Sequence, residues 1–138
     1  MSYRSDVAIR IYGDQDLMLE FGELYSNTFD SLSQDIQNEI LALECKSNNI
    51  TLNKDVFFTS EEYGYEFLFI GESIRWGDYW LKITSGADFF NHMIHCALRL
   101  NLNVEYIRMG EDYSDIEQYQ EGPDCEYRLS VKRSIDWV

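Results

Sequence analysis

The sequence predicts an α+β fold in which an antiparallel sheet carries its helices packed on one face, in a split βαβ (ferredoxin-like) layout or a variant of it. Three observations carry this. Residues 5–12 alternate with the period of a strand, and two stretches, 17–28 and 90–98, repeat their apolar residues with the period of a helix. No repeat or Ser/Gly-rich linker divides the 138 residues, and Pro123 is the single proline. One domain over residues 1–138 is therefore expected.

The elements follow in order. Val7, Ile9 and Ile11 point one way and Ala8, Arg10 and Tyr12 the other, as in a half-buried strand. Gly13-Asp14 offers a turn and a helix N-cap, and Leu17, Phe21, Leu24, Tyr25 and Thr28 then form one helical stripe. Ser31 with Gln34 reads as a capping box for a second helix burying Ile36, Ile40, Leu41 and, at its end, Leu43, which polar residues 46–49 end. Residues 50–62 have no clear period, with a short strand at 56–59. Residues 65–70 are apolar on both faces apart from Glu66, as in a central strand, and Gly71 marks a turn after it. Residues 73–76 and 79–83 suggest a hairpin around Gly77-Asp78. Ser85 with Asp88 caps the clearest helix, with Phe90, Met93, Ile94, Ala97 and Leu98 on one side and Asp88, His92, His95 and Arg99 opposite. Residues 104–109 form a strand ended by Gly110. An acidic stretch, 111–124, holds at most a helical turn, and 126–133 alternate with Tyr127, Leu129 and Val131 inward.

Composition bounds the function classes. Apolar residues make up 45% and aromatics 15%, enough for a core without disulfides or a structural metal. Cys45, Cys96 and Cys125 are odd in number and match no disulfide framework, so they read as reduced thiols. The N-terminus lacks the basic and apolar regions of a signal peptide, and no apolar run is long enough to span a bilayer. A cytoplasmic location and no membrane partner are expected. With 25 acids against 11 bases the net charge is −14, which repels DNA, RNA and anionic membranes and favours cationic partners.

Chemistry-bearing patterns are sparse. His92, His95 and Cys96 are spaced to share a helix face, but only Asp88 offers a local fourth zinc ligand, so a polar helix face is the plainer reading. Asp124 and Glu126 flank Cys125 and would raise its pKa rather than activate it. Glu111, Asp112, Asp115 and Glu117 are dense enough to attract a hard cation, yet they lack the ligand order and glycine of an EF-hand. No phosphate-binding glycine loop, zinc-hydrolase or serine-hydrolase motif occurs. No cofactor, metal or catalytic residue is assigned.

The layout of charge says more. Between Arg10 and Lys46 lie eight acids (Asp14, Asp16, Glu20, Glu23, Asp30, Asp35, Glu39 and Glu44) and no base. Between Arg108 and Arg128 lie seven more acids, again with no base. Ordinary soluble surfaces intersperse the two signs. Carboxylates standing in for phosphates on a nucleic-acid-binding protein would account for this, and so would generic acidity. The acids marked for partner binding are Glu111, Asp112, Asp115, Glu117, Glu121, Asp16, Glu20 and Glu23.

Three short pieces also carry a resemblance: Tyr3-Arg4-Ser5-Asp6-Val7; residues 106–112 (YIRMGED) with Asp115-Ile116-Glu117; and the closing Leu129-Ser130-Val131 with Arg133-Ser134-Ile135. Together they resemble a group of small uncharacterised proteins of tailed bacteriophages and prophages, which often open G-Y-R-S-D/E-V and carry an R-I-G-E-D-x-D-D-I-E-like stretch. This chain has Ser2 for the glycine and Met109 for the isoleucine. The resemblance implies a phage accessory protein in the host cytoplasm that binds, and inhibits, a host or defence protein such as a CRISPR or restriction component. It brings no catalytic residue. Two other functions stand beside it. One is a small-ligand or enzymatic site on a polar sheet face holding Arg4, Asp6, Arg108 and Arg133; these arginines, with Arg10 and Arg128, could equally pair with Asp6, Glu105, Asp112 or Asp115 across the sheet. The other is a role in virion assembly.

Overall fold

The computed structural model describes residues 3–46, 58–60, 64–77, 82–112, 114–125, 129–131 and 135–137. Its centre is the first strand, β1 (Ser5–Gly13). Antiparallel partners flank β1 on both sides: β3 (Gly64–Ile74), which continues outward to β2 (Phe58–Ser60), and β4 (Asn103–Gly110), which continues to β5 (Ile116–Glu121). The sheet order is β2-β3-β1-β4-β5. Between β1 and β2 the chain forms α1 (Gln15–Asp30) and α2 (Gln34–Lys46), and between β3 and β4 it forms α3 (Gly86–Arg99). The predicted split βαβ layout is thus present. A second helix enlarges the first crossover, β5 extends the sheet beyond β4, and a small hairpin, β6 (Leu129–Val131) with β7 (Ile135–Trp137), follows.

Strand alternation decides what each face carries. Val7, Ile9 and Ile11 line up with Phe67 and Phe69 of β3 and with Val104 and Tyr106 of β4. On this side the helices add Met18, Phe21, Tyr25, Ile40, Phe89, Phe90, Met93 and Ile94, and the whole set is buried as one cluster. Each large side chain removed from water here contributes about 1.5–3 kcal/mol. The opposite face is expected from the sequence to be wet, and it is not: Ala8, Arg10, Tyr12, Glu105 and Ile107 are all buried. The chain leaves β5 through Gly122 and returns beneath this face, where β6 lies against β4 and β7 against β1. Gly122 is required there: its φ is +137°, and a Cβ would lie 2.6 Å from Asn103 Cα.

Several local expectations change in the folded chain. Ser31 closes α1 instead of opening α2: its hydroxyl donates to Thr28 O at 2.7 Å, while Ser33 accepts the Ile36 and Gln37 amides through Oγ and O. Gly71 is inside β3 rather than at a turn, because a Cβ there would overlap Ile74 Cδ1 and the strand needs the space. An extra residue in β3 opposite Ser5–Val7 makes a bulge, with Ser73 at φ 52°, and Asp6 Oδ1 accepts its amide at 2.9 Å. Residues 116–121 form a strand where no strand is expected, since their hydropathy does not alternate. Ser85 caps α3 as predicted, accepting the Asp88 amide. Asp88, however, is buried: its Oδ2 accepts both the amide and the hydroxyl of Thr84, at 3.0 and 2.7 Å. Of the expected hairpin, 73–74 are the end of β3, 75–76 and 82–83 are not strand, and 79–81 lie outside the described residues, as do most of the strand at 126–133 including Tyr127 and the start of the strand at 56–59.

The buried face is built around a charge. The Arg10 guanidinium, fully buried, sits 2.7 Å from Glu105 on β4 and 3.0 Å from Glu66 on β3, with its Cζ 3.7 Å from the Tyr12 ring centroid. Burial works against the charged form, but Glu66 and Glu105 outweigh it and raise the Arg10 pKa above its usual value. Arg10→Met should destabilise the chain by about 3–5 kcal/mol, because two carboxylates lose their counter-ion. Arg10→Met combined with Glu105→Met should recover part of that loss. Urea unfolding of the two variants checks this, and an equal loss in both would contradict it.

Candidate functional site

α3 packs on β4, so β5 lies outside the helix layer at the sheet edge. Tyr106 faces Tyr119, Arg108 faces Glu117 and Val104 faces Glu121 across the β4–β5 ladder, which places all six on the helix side. Asn91, His95 and Leu98, at helical spacing on α3, form the facing wall. The result is a groove of two adjoining cavities, about 380 and 610 Å³, that share Asn91, His95, Tyr106 and Glu117. Tyr3, Trp76 and Gly77 close one end of it. Along its floor the Trp76 ring lies 6.4 Å from Tyr106, and Tyr106 lies 5.0 Å from Tyr119.

A saturated guanidinium organises the closed end. Arg108 holds Asp115 with both terminal nitrogens, at 2.7 and 3.2 Å, Glu117 at 2.6 Å and the Ser5 hydroxyl at 3.0 Å. Its hydrogen bond to Asp115 is the main reason its pKa rises above the usual value. Reciprocally, Arg108 and the Tyr3 hydroxyl, which donates to Oδ2 at 2.6 Å, hold the Asp115 carboxyl below the ordinary range. Burial pushes the Tyr106 phenol up to about 12 and raises that of Tyr119, with Glu117 adding to both. With Asp115, Glu117 and Glu121 against Arg108, the groove carries excess negative charge beside aromatic rings, which suits a cationic group better than an anion.

The acids marked from the sequence divide into two sets. α1 packs on β1 and β3, whereas 111–121 lie beyond β4, so Asp16, Glu20 and Glu23 do not form one patch with the others. Within the second set, several carboxylates already serve the chain. Glu111 accepts the Arg4 amide at 2.7 Å, Asp112 accepts the amide and hydroxyl of Ser114, and Asp115 and Glu117 hold Arg108. Glu121 has no ion-pair partner among the described residues, and neither do Asp16, Glu20 and Glu23.

The proposed polar sheet face is divided as well. Arg108 points to the helix side, while Asp6 pairs in register with Met109 on the opposite side. Arg4 lines a separate cavity of about 500 Å³ with Arg75, Ser85 and Asp88, and Arg133 lies outside the described residues. Two of the pairings anticipated for the arginines occur, Arg10 with Glu105 and Arg108 with Asp115. Glu66, the one polar residue among 65–70, was the visible sign of the second carboxylate on Arg10.

On α3, His92 Nε2 lies 3.5 Å from Cys96 Sγ, while His95 turns outward. Burial raises the Cys96 thiol and lowers the His92 imidazole, the reverse of a reactive thiolate–imidazolium couple. Among the described residues no group of three His, Cys, Asp or Glu side chains could hold a metal ion. Burial likewise raises the Cys125 thiol, ahead of the nearby Glu105. The sequence did not mark Trp76, Asn91, Leu98 or Tyr119 as site residues, since nothing in their local pattern shows that β5 stands beside α3.

Comparison of the chain with protein-family models, with curated proteins and with solved structures gives no match. No helix among the described residues is long and apolar enough to cross a membrane.

The two raised phenols give a stability term of known sign. In the folded chain Tyr106 keeps its proton up to about 12, whereas an unfolded tyrosine loses it near about 10. This contribution is therefore fully present below about pH 10 and is lost as pH rises through the folded value. In an alkaline titration followed by tyrosinate absorbance, at least Tyr106 and Tyr119 of the ten tyrosines should resist ionisation at about pH 11 until the chain unfolds. Ionisation of all ten in the native chain near about pH 10 would contradict it.

Proposed function

We propose that the chain is a protein-binding module whose acidic helix face docks on a basic surface of a partner protein. The solvent side of α1 carries this reading. Asp16, Glu20 and Glu23 fall on one stripe, all exposed, with Leu19 (49% exposed) on one flank and Leu24 (36%) on the other. Leu41 of α2, expected from the sequence to be buried, is exposed as well. Like charges four residues apart cost an isolated helix about 0.2–0.5 kcal/mol per pair, and α1 contains no Lys or Arg to offset this. The exposed leucines flanking the stripe add apolar area to a face whose carboxylates have no counter-ion among the described residues.

The finer reading is that the partner is a nucleic-acid-binding host or defence protein, inhibited because the carboxylates occupy its phosphate-binding surface. Two supports favour it: the resemblance of the three short pieces to phage proteins, and the net charge of −14, which disfavours direct nucleic-acid binding. The test is affinity capture from bacterial lysate with the tagged chain at about 0.1 M and about 1 M salt, with mass spectrometry of what is retained. A nucleic-acid-binding protein should be held at the lower salt and released at the higher. It should escape the Asp16→Asn/Glu20→Gln/Glu23→Gln variant, and DNA should compete with the chain for it. Equal capture by that variant would sink the reading for α1.

A further inference from the structure

The outer edge of β5 is the least protected feature of the sheet. Among the described residues β4 is its one neighbour, and the β4–β5 register runs unbroken from Val104↔Glu121 to Met109↔Ile116, with no bulge. β5 contains no proline and no lysine, and Ile116, Glu117, Gln118 and Glu121 are exposed. An edge of this kind presents a row of backbone N–H and C=O groups that can hydrogen-bond another strand.

Its side chains choose between occupants. A second copy pairing antiparallel about Tyr119 would set Glu117 against Glu121 at both ends of the contact, and like charges directly opposite destabilise a sheet. The same two carboxylates attract a strand with bases at alternate positions. On such a strand, three side chains spaced two apart would stand on the helix side, opposite Glu117, Tyr119 and Glu121, over the groove walled by His95 and Leu98. The outer two meet carboxylates and the middle one meets the Tyr119 ring. Glu121 is the stronger attractor, because Glu117 already shares Arg108.

We propose that the β5 edge accepts an extended basic segment of a partner protein as an additional strand, selected for Lys or Arg on either side of an apolar residue at alternate positions. This surface is separate from the α1 face and does not depend on it.

The probe is a blocked peptide with the core Arg-Thr-Val-Thr-Arg between Gly-Ser flanks, titrated into the intact chain and followed by amide NMR and anisotropy. Binding should perturb and protect amides of residues 116–121. Two N-methylated forms of the peptide, one blocked at the threonine amides and one at the alternate amides, keep the charge. Only the form whose blocked amides face β5 should lose affinity, by about tenfold or more, the effect of two lost hydrogen bonds for the threonine form or three for the alternate one. Glu121→Gln should weaken binding by about threefold at low salt. The Asp16→Asn/Glu20→Gln/Glu23→Gln variant should leave it unchanged. No binding of the parent peptide, or equal affinities of the two methylated forms, would overturn the proposal and leave the α1 reading standing. Loss of binding in the α1 variant alone would move the peptide to that helix and overturn it too.

Discussion

The Arg10 guanidinium ties the three inner strands together. It extends from β1 to Glu66 on β3 and to Glu105 on β4, and it is wholly buried. Its placement constrains the register of β1. Because side chains alternate along a strand, a slip of one residue in β1 would drive the charge into the Phe21–Phe69–Phe90 core and strand two carboxylates on the other side. Buried ion pairs often add little net free energy, but a single misplaced one is costly, and that asymmetry selects one pairing over its neighbours. The layer formed by β6 and β7 keeps this cluster out of water.

Arg108 repeats the device at the sheet margin with a different result. It joins β1, through Ser5, to Asp115 and Glu117 in the segment after β4, so β5 is placed against β4 by a clamp as well as by its ladder. Tyr3 adds the N-terminal residues to the same clamp through Asp115, and its hydroxyl also accepts the Asp112 amide. Since α3 covers β4 and stops there, the clamp holds β5 where its inner face borders the groove and its outer edge meets solvent. The acids of 111–117 are therefore largely structural, whereas Glu121 and the α1 acids are available to a partner.

Much of the architecture was legible because it is local. Ser85 with Asp88 predicts the start of α3, and the Phe90–Met93–Ile94–Ala97 stripe predicts the side it buries. The alternation of Val7, Ile9 and Ile11 predicts β1 and its core face. Other elements were hidden for physical reasons. Residues 116–121 read as a polar loop because an edge strand wet on much of its surface needs no apolar alternation, and pairing with β4 alone makes it a strand. Gly71 read as a turn because a glycine that makes room for Ile74 and Phe69 looks, in one dimension, like one that bends the chain. Arg10 read as solvent-facing because nothing beside it in sequence announces that the C-terminal hairpin returns to cover it.

Local pattern along the chain sufficed for the α+β class, the crossover order, the core faces of β1 and α3, and an acidic surface on α1 without bases. These depend on residues within a turn or two of each other, where spacing alone sets which side chains share a face. Tertiary packing decided the rest: the partners of Arg10 and Arg108, the burial of the second sheet face, and the groove between α3 and β5 with its open edge. Arg10 and Glu66 are 56 positions apart and Tyr3 and Asp115 are 112 apart, and even Arg108 meets Asp115 and Glu117, 7 and 9 positions on, only because the assembled sheet turns β5 back along β4.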